Sequence, residues 1–256
     1  MSGLTISPEV LARALLKFAG MQAPVDLYEL SAAIGLKIKD VPSSTFDGAL
    51  VRVAGRPRGI IAKRRMIEDE GRRQFTIAHE IGHYILPGHG VDISACTKDD
   101  LDVAKAKVAQ AEKEANRFAS ELLMPSALVA PIVDKYGLTI KTCNFICRLF
   151  RASYTAAASK CVQASDREVA MIITDSGVLR YFQRGRRWKY RIKQGEALSE
   201  ESMATLLRSN RMGEINGEVP ATAWTSAGTG LRLWEESVMM PRYKRVVTLL
   251  STRLPT

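Results

Sequence analysis

Phe75-Thr76-Ile77-Ala78-His79-Glu80-Ile81-Gly82-His83-Tyr84 holds a His-Glu-x-x-His pattern in a stretch free of proline until Pro87. The spacing predicts one helix over 72–86, stopped at Leu86-Pro87-Gly88 because the residue before a proline avoids the α region. Four positions apart on a helix, His79 and His83 stack their imidazoles on one face, as two nitrogen ligands of a single Zn²⁺ require. Glu80 is rotated by about 100° from His79. It can reach a water on the metal without ligating the metal, which makes it the natural general base. Phe75, Ile77, Ala78, Ile81, Ile85 and Leu86 bury this helix. Two imidazoles and a carboxylate inside a core are unfavourable unless they are paired or coordinate a metal. The bland alternative is two histidines flanking an ordinary glutamate.

A catalytic zinc usually takes three protein ligands and keeps one position open, so a third ligand has to come from elsewhere. His89 lies six residues after His83, the metzincin spacing, but that pattern wants glycine at position 86, where this chain has leucine. Pro87-Gly88 supplies a turn of another kind. The rival is a carboxylate on the next helix. There, Glu112 and Asn116 share a face, so that a carboxylate can bind the metal while an amide one turn on orients a ligand histidine. Glu114 competes with Glu112: on a helical wheel the two sit roughly 75° and 85° to either side of the apolar stripe. Periodicity leaves the choice between them open.

The rest of the chain supplies the setting. With 256 residues, 46% hydrophobic and 25% charged, it is of ordinary globular composition, long enough for one large domain or two small ones. No apolar run approaches the ~18–20 residues of a spanning helix, and the N-terminus does not read as a secretion signal. Cys96, Cys143, Cys147 and Cys161 form no Cys-x-x-Cys pair, which fits buried thiols in a reducing cytoplasm. All three histidines of the chain fall within 79–89, and the net charge is +10.

Around the motif, Ser7-Pro8 predicts a capped helix over 8–19 and Asp26 with Glu29 a second one to Ile34. Alternation at Leu36–Lys39 follows, then short strands over 48–53 and 59–62 joined by Gly55-Arg56-Pro57-Arg58. Thr97 with Asp100 caps a long helix whose apolar positions run to Leu122 before Met124-Pro125. Further on, Asp175-Ser176-Gly177 between two apolar runs is a hairpin signal, and 246–250 reads as a closing strand.

Two blocks together, Arg73–His83 and Glu112-Lys113-Glu114-Ala115-Asn116-Arg117-Phe118-Ala119-Ser120-Glu121-Leu122-Leu123-Met124-Pro125, resemble the ImmA/IrrE family of bacterial and phage metallopeptidases over about residues 25–165. The resemblance implies His79, His83 and Glu112 as metal ligands and Glu80 as the catalytic residue, with Asn116 behind the ligands. It also implies that Phe46–Leu50 and Gly59–Ile61 are sheet strands beside the site. The reaction implied is zinc-assisted peptide hydrolysis in the cytoplasm, although the same ligands accept Mn²⁺ or another divalent ion. The substrate implied is a protein, a transcriptional repressor in stress response or mobile-element regulation. The alternatives are a DNA-binding regulator with a non-catalytic metal site and a toxin–antitoxin component.

Basic segments raise the question of nucleic acid. From Lys135 to Ser165 there are five basic residues and no acid. Phe145–Phe150, Arg151-Ala152-Ser153 and Tyr154–Val162 resemble a helix-turn-helix suited to DNA phosphates. Residues 180–193 carry seven basic and four aromatic residues. They can be read as a nucleic-acid surface or as a strand with Trp188, Tyr190 and Ile192 inward and a solvated cationic face outward, which is the favoured reading. The fold class expected is α+β. It comprises a zincin-like metallopeptidase domain over 1–134 with a small sheet and active-site helix, a helix-turn-helix-like helical region over 135–165, and a β-rich C-terminal domain over 166–256 for sensing or docking.

Overall fold

The computed structural model describes residues 6–43, 47–52, 59–89, 98–209, 212–226, 230–241 and 244–252, with only the helical backbone considered for 98–108. The chain mixes helix and sheet and divides into two compact units. Met1–Pro125 with Leu149–Ser153 forms the first, and Ser126–Arg148 with Tyr154–Thr256 the second. The boundaries expected at 134/135 and 165/166 both fall inside the second unit.

In the first unit, helix α1 (Pro8–Phe18) starts where Ser7 Oγ accepts a hydrogen bond from Val10 N with proline in the first turn. Helix α2 (Leu27–Ala33) is capped by Asp26, whose carboxylate accepts from the backbone N–H of Tyr28 and Glu29. Gly35, at φ 78°, turns the chain into strand β1 (Leu36–Val41). Strands β2 (Gly48–Arg52) and β3 (Gly59–Arg64) complete a three-stranded sheet in the order β1-β3-β2. β1 runs parallel to β3 with Ile38 opposite Ile61, and β2 runs antiparallel with Leu50 opposite Ile61. Among the described residues β2 is therefore an edge. The expected turn at 55–58, Phe46 and the expected cap at Thr97 lie outside the described residues.

Helix α3 (Glu70–Ile85) lies against β2 and β3, and helix α4 (Lys98–Leu123) packs on α3 and α1. Ile77, Ala78 and Ile81 on α3 and Ala115, Phe118, Ala119 and Leu122 on α4 are fully buried. Burial of this kind is what holds the helix pair; truncating a buried Phe such as Phe118 costs about 3–5 kcal/mol. Gly82 leaves little room between the two helices: a Cβ there would stand 3.3 Å from the backbone Cα of Ala115 and 3.1 Å from Phe118. Charges complete the contact with α1. Arg117 of α4 donates twice to Glu9 (2.7 and 2.9 Å), and Arg13 of α1 reaches the buried Glu121 at 2.8 Å.

The second unit is built on a five-stranded antiparallel sheet, order β5-β4-β8-β7-β6. Its strands are β4 (Val169–Asp175), β5 (Val178–Arg184), β6 (Glu214–Pro220), β7 (Arg232–Met240) and β8 (Arg245–Ser251). Ser176 and Gly177 both take positive φ (52° and 84°), as a two-residue hairpin turn between right-twisted strands demands. Helices α5 (Ser126–Tyr136), α6 (Ile140–Leu149), α7 (Tyr154–Ala164) and α8 (Met203–Ser209) accompany it. β8 is buried at five consecutive positions, the mark of a sheet covered on both faces. Adjacent glutamates of β7 serve the two faces. Glu235 accepts from Ala204 N at the start of α8, from Trp224 Nε1 and from Ser237 Oγ, while Glu236 accepts from Ile140 N at the start of α6.

The strand expected through 187–193 is absent: the chain turns after Arg184 and only Ile192 makes an isolated bridge, to Thr225. The alternation is real nonetheless, because Trp188 and Ile192 enter the core while Arg187, Lys189 and Arg191 stay exposed. Acids from outside the run meet part of its charge. Asp166 pairs with Arg186 and Arg187, and Glu168 with Lys189. Of the expected buried thiols, Cys143 and Cys161 are buried, Cys147 is half-buried, and Cys96 lies outside the described residues. Among the described residues no helix is long and apolar enough to cross a membrane.

Candidate metal centre

Asp69 Oδ1 accepts from Arg72 N at 2.7 Å and so starts α3 two residues before the position read from the sequence. The helix then carries His79, Glu80 and His83 past α4. His79 and His83 present their Nε2 atoms 3.0 Å apart, with the rings edge to face. From α4, Glu112 brings Oε2 to 3.2 Å from His79 Nε2 and Oε1 to 3.2 Å from His83 Nε2. Each of the three side chains thus brings one potential ligand atom within 4.8 Å of the other two. Zn²⁺ takes imidazole nitrogens and carboxylate oxygens at about 2.0–2.2 Å, and a nitrogen–nitrogen–oxygen set gathered this closely is of the kind that can hold such an ion. Among the described residues this is the one group of three such side chains with all its donor atoms mutually close.

Both imidazoles are in the state a metal needs. Burial lowers the pKa of His79, with Glu112 and Asn116 opposing the shift. Burial, aided by the neighbouring His79, lowers His83 to about 4. Neutral rings keep a lone pair on one nitrogen, and the proton on the other needs an acceptor. For His79 the acceptor is Asn116, whose Oδ1 lies 3.0 Å from Nδ1. That bond leaves the lone pair on Nε2, facing Glu112 and His83.

Glu80 is not among the three donors. It is buried, and burial together with the Glu112 carboxylate raises its pKa to about 7, while the backbone N–H of Leu50 holds it down. A carboxylate tuned in this way can both take and return a proton near neutrality. Gly48 of β2 makes the close approach possible: a Cβ there would lie 2.5 Å from Thr76 Cγ2 and 3.0 Å from Glu80 Oε1.

The two rivals for third ligand stand elsewhere. His89 has its Nδ1 3.1 Å from Nδ1 of His83, on the side of that ring away from Glu112, and its Nε2 3.1 Å from Glu114 Oε2. Gly88, at φ 78°, makes the turn that returns His89 to α3 in place of the glycine missing at 86. Glu114 also accepts from Gln110 at 2.7 Å. Spacing alone does not give this arrangement; the signals were a histidine six residues past the motif and a second glutamate two past the first.

The Peptidase_M78 family model, described as the IrrE N-terminal-like domain, matches residues 32–161, just over half of the chain. The radiation response metalloprotease IrrE of Deinococcus radiodurans is 28% identical over 149 residues, 52% of this chain and 41% of that protein. The chain thus spans about two fifths of the length of that relative. A solved structure of a Mycobacterium tuberculosis transcriptional regulator is similar in fold, with a TM-score of 0.62 at 14% identity over 95% of this chain and 76% of that one. A half-chain family match that includes the His-Glu-x-x-His helix and the Glu112 helix places this chain in the IrrE N-terminal-like peptidase family.

Proposed function

We propose that this protein is a divalent-metal-dependent endopeptidase, zinc being the preferred ion, with His79, His83 and Glu112 as ligands and Glu80 as general base. The observation that carries the reading is the meeting of two Nε2 atoms and a carboxylate from two helices beside a buried glutamate that is not one of them. A purely structural metal site has no use for such a glutamate. The bound ion supplies Lewis-acid polarisation of the scissile carbonyl. Glu80, steadied by Leu50 N–H, takes a proton from the attacking water and delivers it to the leaving amine. Among the described residues β2 is an edge strand, and such an edge can offer main-chain groups to an extended peptide, which fits a protein substrate.

By family resemblance the substrate is a transcriptional repressor cut at a limited site. A second reading, a transcriptional regulator acting on DNA directly, draws on the fold shared with the M. tuberculosis regulator and on the basic stretches at 135–165 and 180–193. Incubating the zinc-loaded chain with a candidate repressor separates the two. The peptidase reading expects cleavage that disappears with Glu80→Gln; DNA binding without cleavage favours the regulator.

A further inference from the structure

We infer that His89 and Glu114 form a hydrogen-bonded relay behind His83 that fixes its tautomer and aims its Nε2 lone pair at the metal centre. Both are positioning residues, and the role rests on the metal-centre reading above. The chain of contacts is continuous. Gln110 Nε2 donates to Glu114 Oε1 (2.7 Å), Glu114 Oε2 faces His89 Nε2 (3.1 Å), and His89 Nδ1 faces His83 Nδ1 (3.1 Å). On the far side of the same ring, His83 Nε2 faces His79 Nε2 (3.0 Å) and Glu112 Oε1 (3.2 Å).

Proton accounting gives the relay a direction. An ionised carboxylate only accepts, so His89 places its proton on Nε2 and donates to Glu114. With its proton on Nε2 turned to Glu114, His89 offers Nδ1 as the acceptor 3.1 Å from His83 Nδ1, which places the His83 proton on Nδ1. What remains on His83 Nε2 is the lone pair a metal requires. The reverse arrangement sets a lone pair of His89 against the Glu114 oxygen with nothing between them to bind, whereas the lone pair left on His83 Nε2 faces Glu112 across the point a metal ion would occupy. The His89 side chain is only 2% exposed, so water competes little for these bonds. The two ligand histidines are therefore oriented by different means: His79 by an amide oxygen and His83 by an imidazole backed by a carboxylate. Outer partners of this kind raise ligand basicity, and their loss typically weakens metal binding by about 10–100-fold.

The test combines zinc affinity, measured by competition with a chromophoric chelator, with long-range ¹H–¹⁵N NMR of the histidine rings in the metal-free full chain. In Glu112→Ala, where no carboxylate competes for a proton on His83 Nε2, His83 is expected as the Nδ1–H tautomer; finding Nε2–H there overturns the relay. His89→Ala and Glu114→Ala are expected to weaken zinc binding by about 10–100-fold and to admit the Nε2–H form of His83. His89→Gln, whose amide oxygen can accept from His83 Nδ1, is expected to recover most of the affinity. Unchanged affinity and tautomer in His89→Ala overturn the proposal while leaving the metal centre standing. A loss in His89→Ala as complete as in Glu112→Ala, with no rescue by glutamine, makes His89 a ligand and overturns the positioning role. A wild type that binds no zinc overturns the metal-centre reading itself.

Discussion

Asn116 accepts a 3.0 Å hydrogen bond from Nδ1 of His79, one helical turn beyond the carboxylate that faces Nε2 of the same ring. One helix thus sets both the direction of the ring and its partner across the metal point. Removing the acceptor with Asn116→Leu is expected to lower zinc affinity by about 10–100-fold. Asn116→Asp, which still accepts, retains most of it. Chelator competition on the two variants reads the difference.

Gly48 lies where any side chain meets Glu80. Gly48→Ala forces Thr76 or the Glu80 carboxylate aside, and a displacement of about 1 Å at a reacting group can reduce turnover by on the order of 100-fold. The expected result is a fall in kcat with zinc content unchanged, measured by cleavage assay beside metal analysis. A loss of zinc instead would place the damage at the ligands and not at the base.

Gly82 sets how close α3 and α4 come. Gly82→Val drives a branched side chain against the Ala115 backbone and Phe118, an overpacking worth about 1–3 kcal/mol of stability. Because Glu112 rides on α4, zinc affinity is expected to fall with it. Chemical denaturation with and without zinc checks both effects.

Burial raises the pKa of Glu235, against the hydrogen bonds from Trp224 and Ser237 that lower it. Protonation of this carboxyl therefore favours the folded state. That contribution is complete below the ordinary carboxylate range and is lost as pH rises through the raised folded value. In Glu235→Gln the amide does not titrate. Relative to this variant the wild type is expected to lose stability as pH rises above the ordinary carboxylate range, at no more than about 1.4 kcal/mol per pH unit for one proton. Denaturant unfolding in the presence of a chelator measures it; a parallel pH profile for the two proteins would count against the argument.

Local chemistry was legible in the sequence wherever a short motif fixes a backbone angle. Ser7-Pro8, Asp26 and Asp175-Ser176-Gly177 placed α1, α2 and the β4–β5 hairpin, and the strand expected at 246–250 lies within β8. β7 was hidden because Glu235 and Glu236 interrupt it, and charged pairs do not read as strand. The structure supplies the reason for their presence, since each meets the start of a helix on its own face of the sheet. At 187–193 the error ran the other way, because side chains alternated between core and solvent along a turn that no neighbouring strand extends. The tie between Glu112 and Glu114 has a physical cause as well. Both leave the apolar stripe to meet a histidine, Glu112 facing His79 and His83 and Glu114 facing His89, so distance from the stripe could not tell them apart.

Zinc stoichiometry by native mass spectrometry, compared across the wild type, Glu112→Ala and Glu80→Gln, tests the central claim most directly. The account predicts one tightly bound ion in the wild type and in Glu80→Gln, and none retained by Glu112→Ala. Zinc held by Glu112→Ala as firmly as by the wild type, or lost from Glu80→Gln, would contradict it.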